Sequence, residues 1–236
     1  MSIILEKKLI TSKNNTINII SNNPFCINYF NDPVNYTEAI LKEINNDKIY
    51  AHLLLNKKDM IIFDIGAHIG LFSLYASDSA KKIYAFEPDS IHFNILKELT
   101  YNFTNTNTII PVNMAISVNK EDSIFYMNNI NTTMHSLVNQ YSEQTIVKCI
   151  DLYSFIQNNK LDIVDLIKCD IEGGEIIIFT KEEIKKIKNI VKHLYIKVHN
   201  TPGRNINENI DFLKKNFKSE GYNVHLYRNN GLLCFK

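Results

Sequence analysis

Apolar residues gather in short unbroken runs from residue 60 onward. Met60-Ile61-Ile62-Phe63 ends at Asp64-Ile65-Gly66. A continuous run stopped by glycine reads as a strand buried on both faces, the habit of parallel sheets. Ile69–Ser77 then has helical character, and Lys82–Phe86 is a second strand, closed by Glu87-Pro88-Asp89. Proline ends the strand, and Asp89 or Ser90 can cap a helix over Ile91–Phe103. Thr108–Val112 is a third strand. Further along, Asp151–Asn158 predicts a helix, Ile163–Cys169 a fourth strand, and a helix starts near Glu175. Asn189–Val198 is a fifth strand, broken by Thr201-Pro202-Gly203, and Asn207–Phe217 is an amphipathic helix. This alternation of strand and helix predicts a doubly wound α/β sheet.

Two stretches depart from that pattern. Residues 117–150 alternate apolar and polar in Ser123–Met127 and Thr145–Ile150, predicting short strands beside the main sheet, with the polar loop Asn128–His135 between them. The tail predicts a hairpin of Tyr222–Tyr227 and Leu232–Phe235, with Asn230-Gly231 expected to supply the positive φ of the turn. Residues 1–58 are polar and irregular apart from helical stretches at Tyr36–Asn45 and Lys48–Leu55. They are expected to cap the domain spanning 59–236.

Composition changes this picture little. The 236 residues are 45% hydrophobic and 22% charged, with a formal net charge of +1. No global field therefore favours nucleic acid or an acidic membrane. The mixed run Lys181-Glu182-Glu183-Ile184-Lys185-Lys186 reads as a solvated helix face. Cys26, Cys149, Cys169 and Cys234 show neither CxxC nor metal-ligand spacing, so reduced thiols in a cytoplasmic protein are expected. The first ten residues hold too short an apolar run for a signal peptide, and no stretch approaches the ~20 apolar residues of a membrane span.

The chemistry concentrates where strands end. In doubly wound sheets ligands bind beyond the carboxyl ends of the strands, so Asp64, Glu87 and Asp170 should converge. The loop Asp64-Ile65-Gly66-Ala67-His68-Ile69-Gly70 needs small residues for close backbone approach, and Gly70 for packing of the next helix. It is not GxGxxG: Asp64 or His68 stands where a second glycine would fall. A carboxylate ahead of the glycine would repel a pyrophosphate but suits a cation. S-adenosylmethionine, with its ammonium and sulfonium, is such a ligand. Glu87 can accept two ribose hydroxyls.

The segments Ile62–Gly70, Ala85-Phe86-Glu87-Pro88-Asp89, Asn113-Met114-Ala115-Ile116-Ser117 and Val164–Glu175 resemble the FkbM family of methyltransferases over about residues 60 to 200. The resemblance implies a Rossmann-like class I methyltransferase fold, with a mostly parallel seven-stranded sheet and a C-terminal antiparallel hairpin. It implies that Asp64, Gly66, Ala67, His68 and Gly70 hold the methionine part of the cofactor. Glu87, with Pro88 and Asp89, would hold the ribose, and Met114 and Ala115 the adenine edge. It also implies methylation of a hydroxyl oxygen, often on a sugar or polyketide-derived product. Two positions depart from the family pattern: His68, where asparagine is common, and Lys197, where an acid is frequent.

An alcohol is a poor nucleophile until a base engages it. Asp170, Glu172 and His199 are the candidate catalytic residues, with His199 the first choice of base because imidazole titrates near neutrality. Asp170 is also expected to touch the cofactor. Glu175, His135 and Ser136 are the candidate acceptor contacts, although Glu175 also reads as a helix N-terminal acid and the other two as surface loop. A divalent metal on Asp170, Glu172 and His199 is the less favoured alternative. The expected acceptor is a small molecule, a sugar or glycan precursor, with no nucleic acid and no membrane. Oligomeric state is left open, a homodimer included. Nucleic-acid methylation is disfavoured because Asp170-Ile171-Glu172-Gly173 stands where an Asn/Asp-Pro-Pro-aromatic turn would be needed. A nicotinamide oxidoreductase is disfavoured by the missing glycines, and a catalytically dead scaffold by the retained acids.

Overall fold

The structure, a computed structural model, describes residues 10–12, 15–17, 43–44, 48–103, 108–119, 121–128 and 134–236. Cys26 and most of the expected helix Tyr36–Asn45 lie outside these, although residues 43–44 are helical. β1 (Ile10–Ser12) and β2 (Asn15–Ile17) form an antiparallel pair, followed by α1 (Lys48–Leu54). The core alternates β3 (Met60–Ile65), α2 (Leu71–Ala76), β4 (Ala80–Phe86), α3 (Ser90–Phe103) and β5 (Ile109–Val112). The short strands β6 (Ala115–Ile116), β7 (Ser123–Met127), β8 (Glu143–Val147) and β9 (Cys149–Ile150) follow. Then come α4 (Leu152–Asn158), β10 (Val164–Cys169), α5 (Glu175–Ile178), α6 (Lys181–Ile187), β11 (Val191–Lys197), α7 (Ile206–Ser219), β12 (Asn223–Tyr227) and β13 (Gly231–Phe235).

Seven strands form one sheet in the order β12-β13-β11-β10-β3-β4-β5. The five strands from β11 to β5 are parallel, and β13 runs antiparallel to both β11 and β12. β7 and β8 pair outside this sheet, as the alternating pattern predicts, and β9 pairs there with β6, a strand the pattern did not predict. The chain leaves β3 toward β4 on one side and returns to β10 on the other. The switch point therefore lies between β3 and β10, where a crevice opens beyond their carboxyl ends.

Period-two alternation sorts the strand side chains into two layers. Phe63 and Ile65 of β3 pack with Phe155, Ile184, Leu213 and Phe217 of α4, α6 and α7. Ile62 faces the other way, toward Tyr50, Phe72, Leu96 and Leu99 of α1, α2 and α3. Caps define the helices: Asp151 accepts from the Ser154 N–H, Thr180 from Glu183, and Asn205 forms a capping box with Glu208.

The hairpin is present, but its turn differs from expectation. Arg228, not glycine, takes the positive φ of 55°. Gly231 is the first residue of β13, and a Cβ there would meet Tyr195 Oη at 2.7 Å and the Tyr227 carbonyl oxygen at 2.9 Å. Glycine is required by packing against β11, not by turn geometry. Gly231→Ala should destabilise the fold by about 1–3 kcal/mol, the usual result of overpacking. Urea unfolding measures this; a variant as stable as the parent would show that Tyr195 simply swings aside.

Candidate active site

Lys168 and Asp64 are register partners on β10 and β3. Both side chains point into the layer beneath α2, where Lys168 Nζ lies 3.0 Å from Asp64 Oδ1 and Ser73 Oγ donates to Asp64 Oδ2 at 2.7 Å. The Asp64 side chain is fully buried. Lys168 also donates to the Gly66 carbonyl at 2.9 Å and lies over the Phe72 ring. Burial pulls the Lys168 ammonium down, but the charges of Asp64 and Asp170 outweigh it and raise its pKa. Asp64, expected to face the ligand, thus braces the glycine loop from below. The ion pair sets one buried charge against the other.

The loop above is shaped by close backbone contact. A Cβ at Gly66 would fall 2.0 Å from the Asp170 carbonyl oxygen, so the glycine is demanded by the neighbouring strand end before any ligand arrives. Gly70 leaves room for Leu96 of α3, and Ala67 is buried in the core. His68 and Glu172 both hold positive φ, 53° each. Non-glycine residues in this region cluster at functional sites, where surrounding structure imposes the strain.

A cleft of about 600 Å³ opens at the switch point. Gly66, His68, Glu87, Pro88, Met114 and Ala115 line it, together with His135, Asp170 and Glu172. Ile171, Phe125 and Leu137 add apolar wall, and His92 joins from the first turn of α3. Convergent polar groups in an otherwise apolar cleft are the usual form of a small-molecule site. Glu87 accepts the His68 N–H at Oε2 (2.8 Å) and the Asp89 N–H at Oε1 (2.9 Å). Burial drives its pKa up to about 8 against those two hydrogen bonds. Asn113 donates to the Glu87 and Pro88 carbonyls and fixes this corner. Asp89 does not line the cleft; it caps α3, accepting the His92 N–H at 2.8 Å.

On the opposite wall the acids sort by burial. Glu175 is fully buried, and its Oε1 meets His199 Nδ1 at 2.8 Å while accepting the Ile171 N–H. It therefore holds the histidine and does not reach an acceptor. His199 Nε2 lies 3.4 Å from Asp170 Oδ1 and 3.3 Å from Glu172 Oε1, just behind the cleft wall. Burial lowers the His199 pKa, but the Glu175 hydrogen bond and the charges of Glu175, Asp170 and Glu172 win and raise it to about 9. Glu172 is pushed by burial up to about 7, although the His199 charge opposes the shift. Burial would also raise Asp170, yet Lys197, Lys168 and His199 bring it down to about 2. Ser136, expected at the acceptor, is fully buried. Its Oγ donates to the Glu172 carbonyl at 2.7 Å and so supports the strained turn.

The methyltransferase FkbM domain matches residues 64–224, more than half of the chain. The chain belongs to the FkbM methyltransferase family. No curated protein matches it in sequence. Among solved structures it is similar to precorrin-6y C5,15-methyltransferase from Geobacter metallireducens, at 10% identity and TM-score 0.46, covering 80% of this chain and 87% of that one. The METTL16 methyltransferase domain shows 14% identity and TM-score 0.48, over 84% and 68% of the two chains. An S-adenosylmethionine-dependent methyltransferase from Aquifex aeolicus shows 13% identity and TM-score 0.46, over 91% and 98%. The strand order, five parallel strands with an antiparallel terminal hairpin, gives the FkbM domain a Rossmann-like class I methyltransferase fold, and the cofactor expected of its family is S-adenosylmethionine.

The cleft of this FkbM domain fits that group. Glu87 offers a buried carboxylate whose backbone donors leave further lone pairs for hydroxyls. Asp170, half-buried and held ionised, offers charge to an ammonium. Three features escaped the sequence reading: Lys168 as the partner of Asp64, His92 in the wall, and Lys197 bridging Asp170 Oδ2 (3.4 Å) and Glu43 Oε1 (3.2 Å). The Asp89-x-x-His92 spacing was the one signal available for the second.

Proposed function

We propose that this FkbM domain methylates a hydroxyl oxygen of a small molecule, a sugar or glycan precursor, with His199 as the proton acceptor. The observation supporting this reading is the Glu175–His199 pair. A fully buried carboxylate holds Nδ1, which orients Nε2 toward Asp170 and Glu172 at the cleft. This is the geometry of an oriented general base. S-adenosylmethionine, when bound, supplies an electrophilic methyl on a sulfonium that leaves as a neutral thioether. Glu87 and the Gly66–His68 loop would hold it, and Asp170 would meet its ammonium. The hydroxyl proton would pass to His199 Nε2 by way of Glu172, which stands between the ring and the cleft and would hold the acceptor in line for the methyl. Soluble, cytoplasmic function on small acceptors belongs to this same reading.

Two measurements test it. Calorimetric titration with S-adenosylmethionine should show saturable binding, weakened at least tenfold in Glu87→Ala, a loss of about 1.4 kcal/mol. Labelled-methyl transfer to a panel of sugar nucleotides and to bulk RNA then decides the acceptor. Incorporation into a sugar hydroxyl is expected. Incorporation into RNA alone would replace the proposed acceptor.

A further inference from the structure

Asp89 lies outside the cleft and His92 and His135 line its wall with no part in the proton transfer, yet the three converge. One oxygen of Asp89 and one ring nitrogen from each histidine lie within 4.8 Å of one another. His92 Nδ1 is 3.5 Å from Asp89 Oδ1; the two imidazoles stack at 5.1 Å between centroids, so one ring has to turn for both to face the same ion. Asp89 and His92 are buried, and His135 is half-buried. Two imidazoles and a carboxylate are a recurring ligand set for zinc and other first-row divalent ions, with one position left open.

We infer that Asp89, His92 and His135 form a binding site for a single divalent transition-metal ion of the zinc class. Metal–ligand bonds near 2.0–2.1 Å put tetrahedral ligand atoms about 3.3 Å apart, so the three groups must close by roughly 1.5 Å at most. His135 Nδ1 now accepts the Asn128 N–H at 3.0 Å. Loading the ion rearranges that bond, because the ring must present an unshared lone pair to the metal. The other three-residue cluster, Asp170, Glu172 and His199, is the poorer candidate, since the Lys197 ammonium already pairs with Asp170.

The ion would tie α3 to the segment preceding β8. That segment carries Ser136, whose hydroxyl supports the Glu172 carbonyl. A metal at this place would therefore brace one wall of the cleft and, through Ser136, the turn holding Glu172. The inference does not depend on the acceptor or on methyl transfer.

The test uses the full chain, stripped with chelator and titrated with Zn²⁺ alone by calorimetry and with Co²⁺ by visible absorption. One equivalent should bind, with the intense d–d bands of a tetrahedral site. His92→Ala and His135→Gln should each weaken it at least tenfold, while Glu172→Gln leaves it within threefold. Thermal melts of the metal-free variants establish that they fold; if His92→Ala does not, His135→Gln carries the comparison. Absence of saturable binding, or loss with Glu172→Gln in place of the two histidine variants, overturns the site. A parallel titration with S-adenosylmethionine reports on the methyltransferase reading separately.

Discussion

His199→Ala is expected to lower kcat by roughly 10²- to 10⁴-fold, the range for loss of a positioned general base. Cofactor affinity should stay within about threefold, because His199 stands behind the cleft wall and reaches it through Asp170 and Glu172. Turnover and calorimetry on one preparation check both halves, and loss of cofactor binding would mean that the ring only supports the cleft. The pH dependence sharpens the expectation. With its pKa raised to about 9, His199 is largely imidazolium in the free protein at neutral pH. kcat/KM should therefore climb from pH 7 toward 9, since that quantity reports the free enzyme. Glu175→Gln removes the hydrogen-bonded charge that raises the pKa, so the midpoint should move toward 6.5. A merely structural histidine would leave the midpoint where it was. Stability runs the other way. Both His199 and Glu172 have folded-state pKa values above their ordinary ones, about 9 and about 7. Their contribution is complete below the unfolded pKa of each and fades as pH rises through those two values.

Lys168→Met should destabilise the domain by about 3–5 kcal/mol, the cost of leaving one member of a buried ion pair alone. Asp64 would keep only the Ser73 hydroxyl, in a layer otherwise made of Phe72, Leu96 and Ile62. For a chain of this size each kcal/mol moves Tm by roughly 2–4 °C, so a fall of about 6–20 °C is expected. The double variant Asp64→Leu/Lys168→Met should recover much of the loss, because a packed apolar pair avoids the desolvation of both charges. Denaturant melts of the single and double variants close the cycle. A single variant within about 1 kcal/mol of the parent would mean that water or a neighbour replaces the ammonium.

The sheet was legible because its signal is local. Met60–Phe63 and Ile163–Cys169 announce buried parallel strands by composition, and the glycine after the first marks where it must end. The seven-strand sheet and its terminal hairpin appear accordingly. The positions of Glu87 and Asp170 in the cleft follow from strand ends alone, whereas that of Met114 follows from the family resemblance. The direction of Asp64 did not follow, because its partner lies 104 positions away and meets it only through the register of β10 on β3. Nothing local separates a strand-end carboxylate that serves a ligand from one that serves a lysine. Glu175 and Ser136 were misplaced for a related reason. Both sit in the right neighbourhood, but burial decides whether a side chain meets the acceptor or holds a residue that does. The turn at Arg228 was misread because Asn-Gly is a strong hairpin signal, and the tight approach of Tyr195 to Gly231 is visible only in three dimensions.

Lys197 meets Asp170 on one side and Glu43 on the other. The matched domain begins at residue 64, whereas the acid that completes this charge chain lies ahead of it. A lysine at 197 without an acid at 43 would keep Asp170 alone as its counter-charge at the cleft. The two positions are therefore tied by one ion pair across 154 residues. A substitution at either is to be judged with its partner in view.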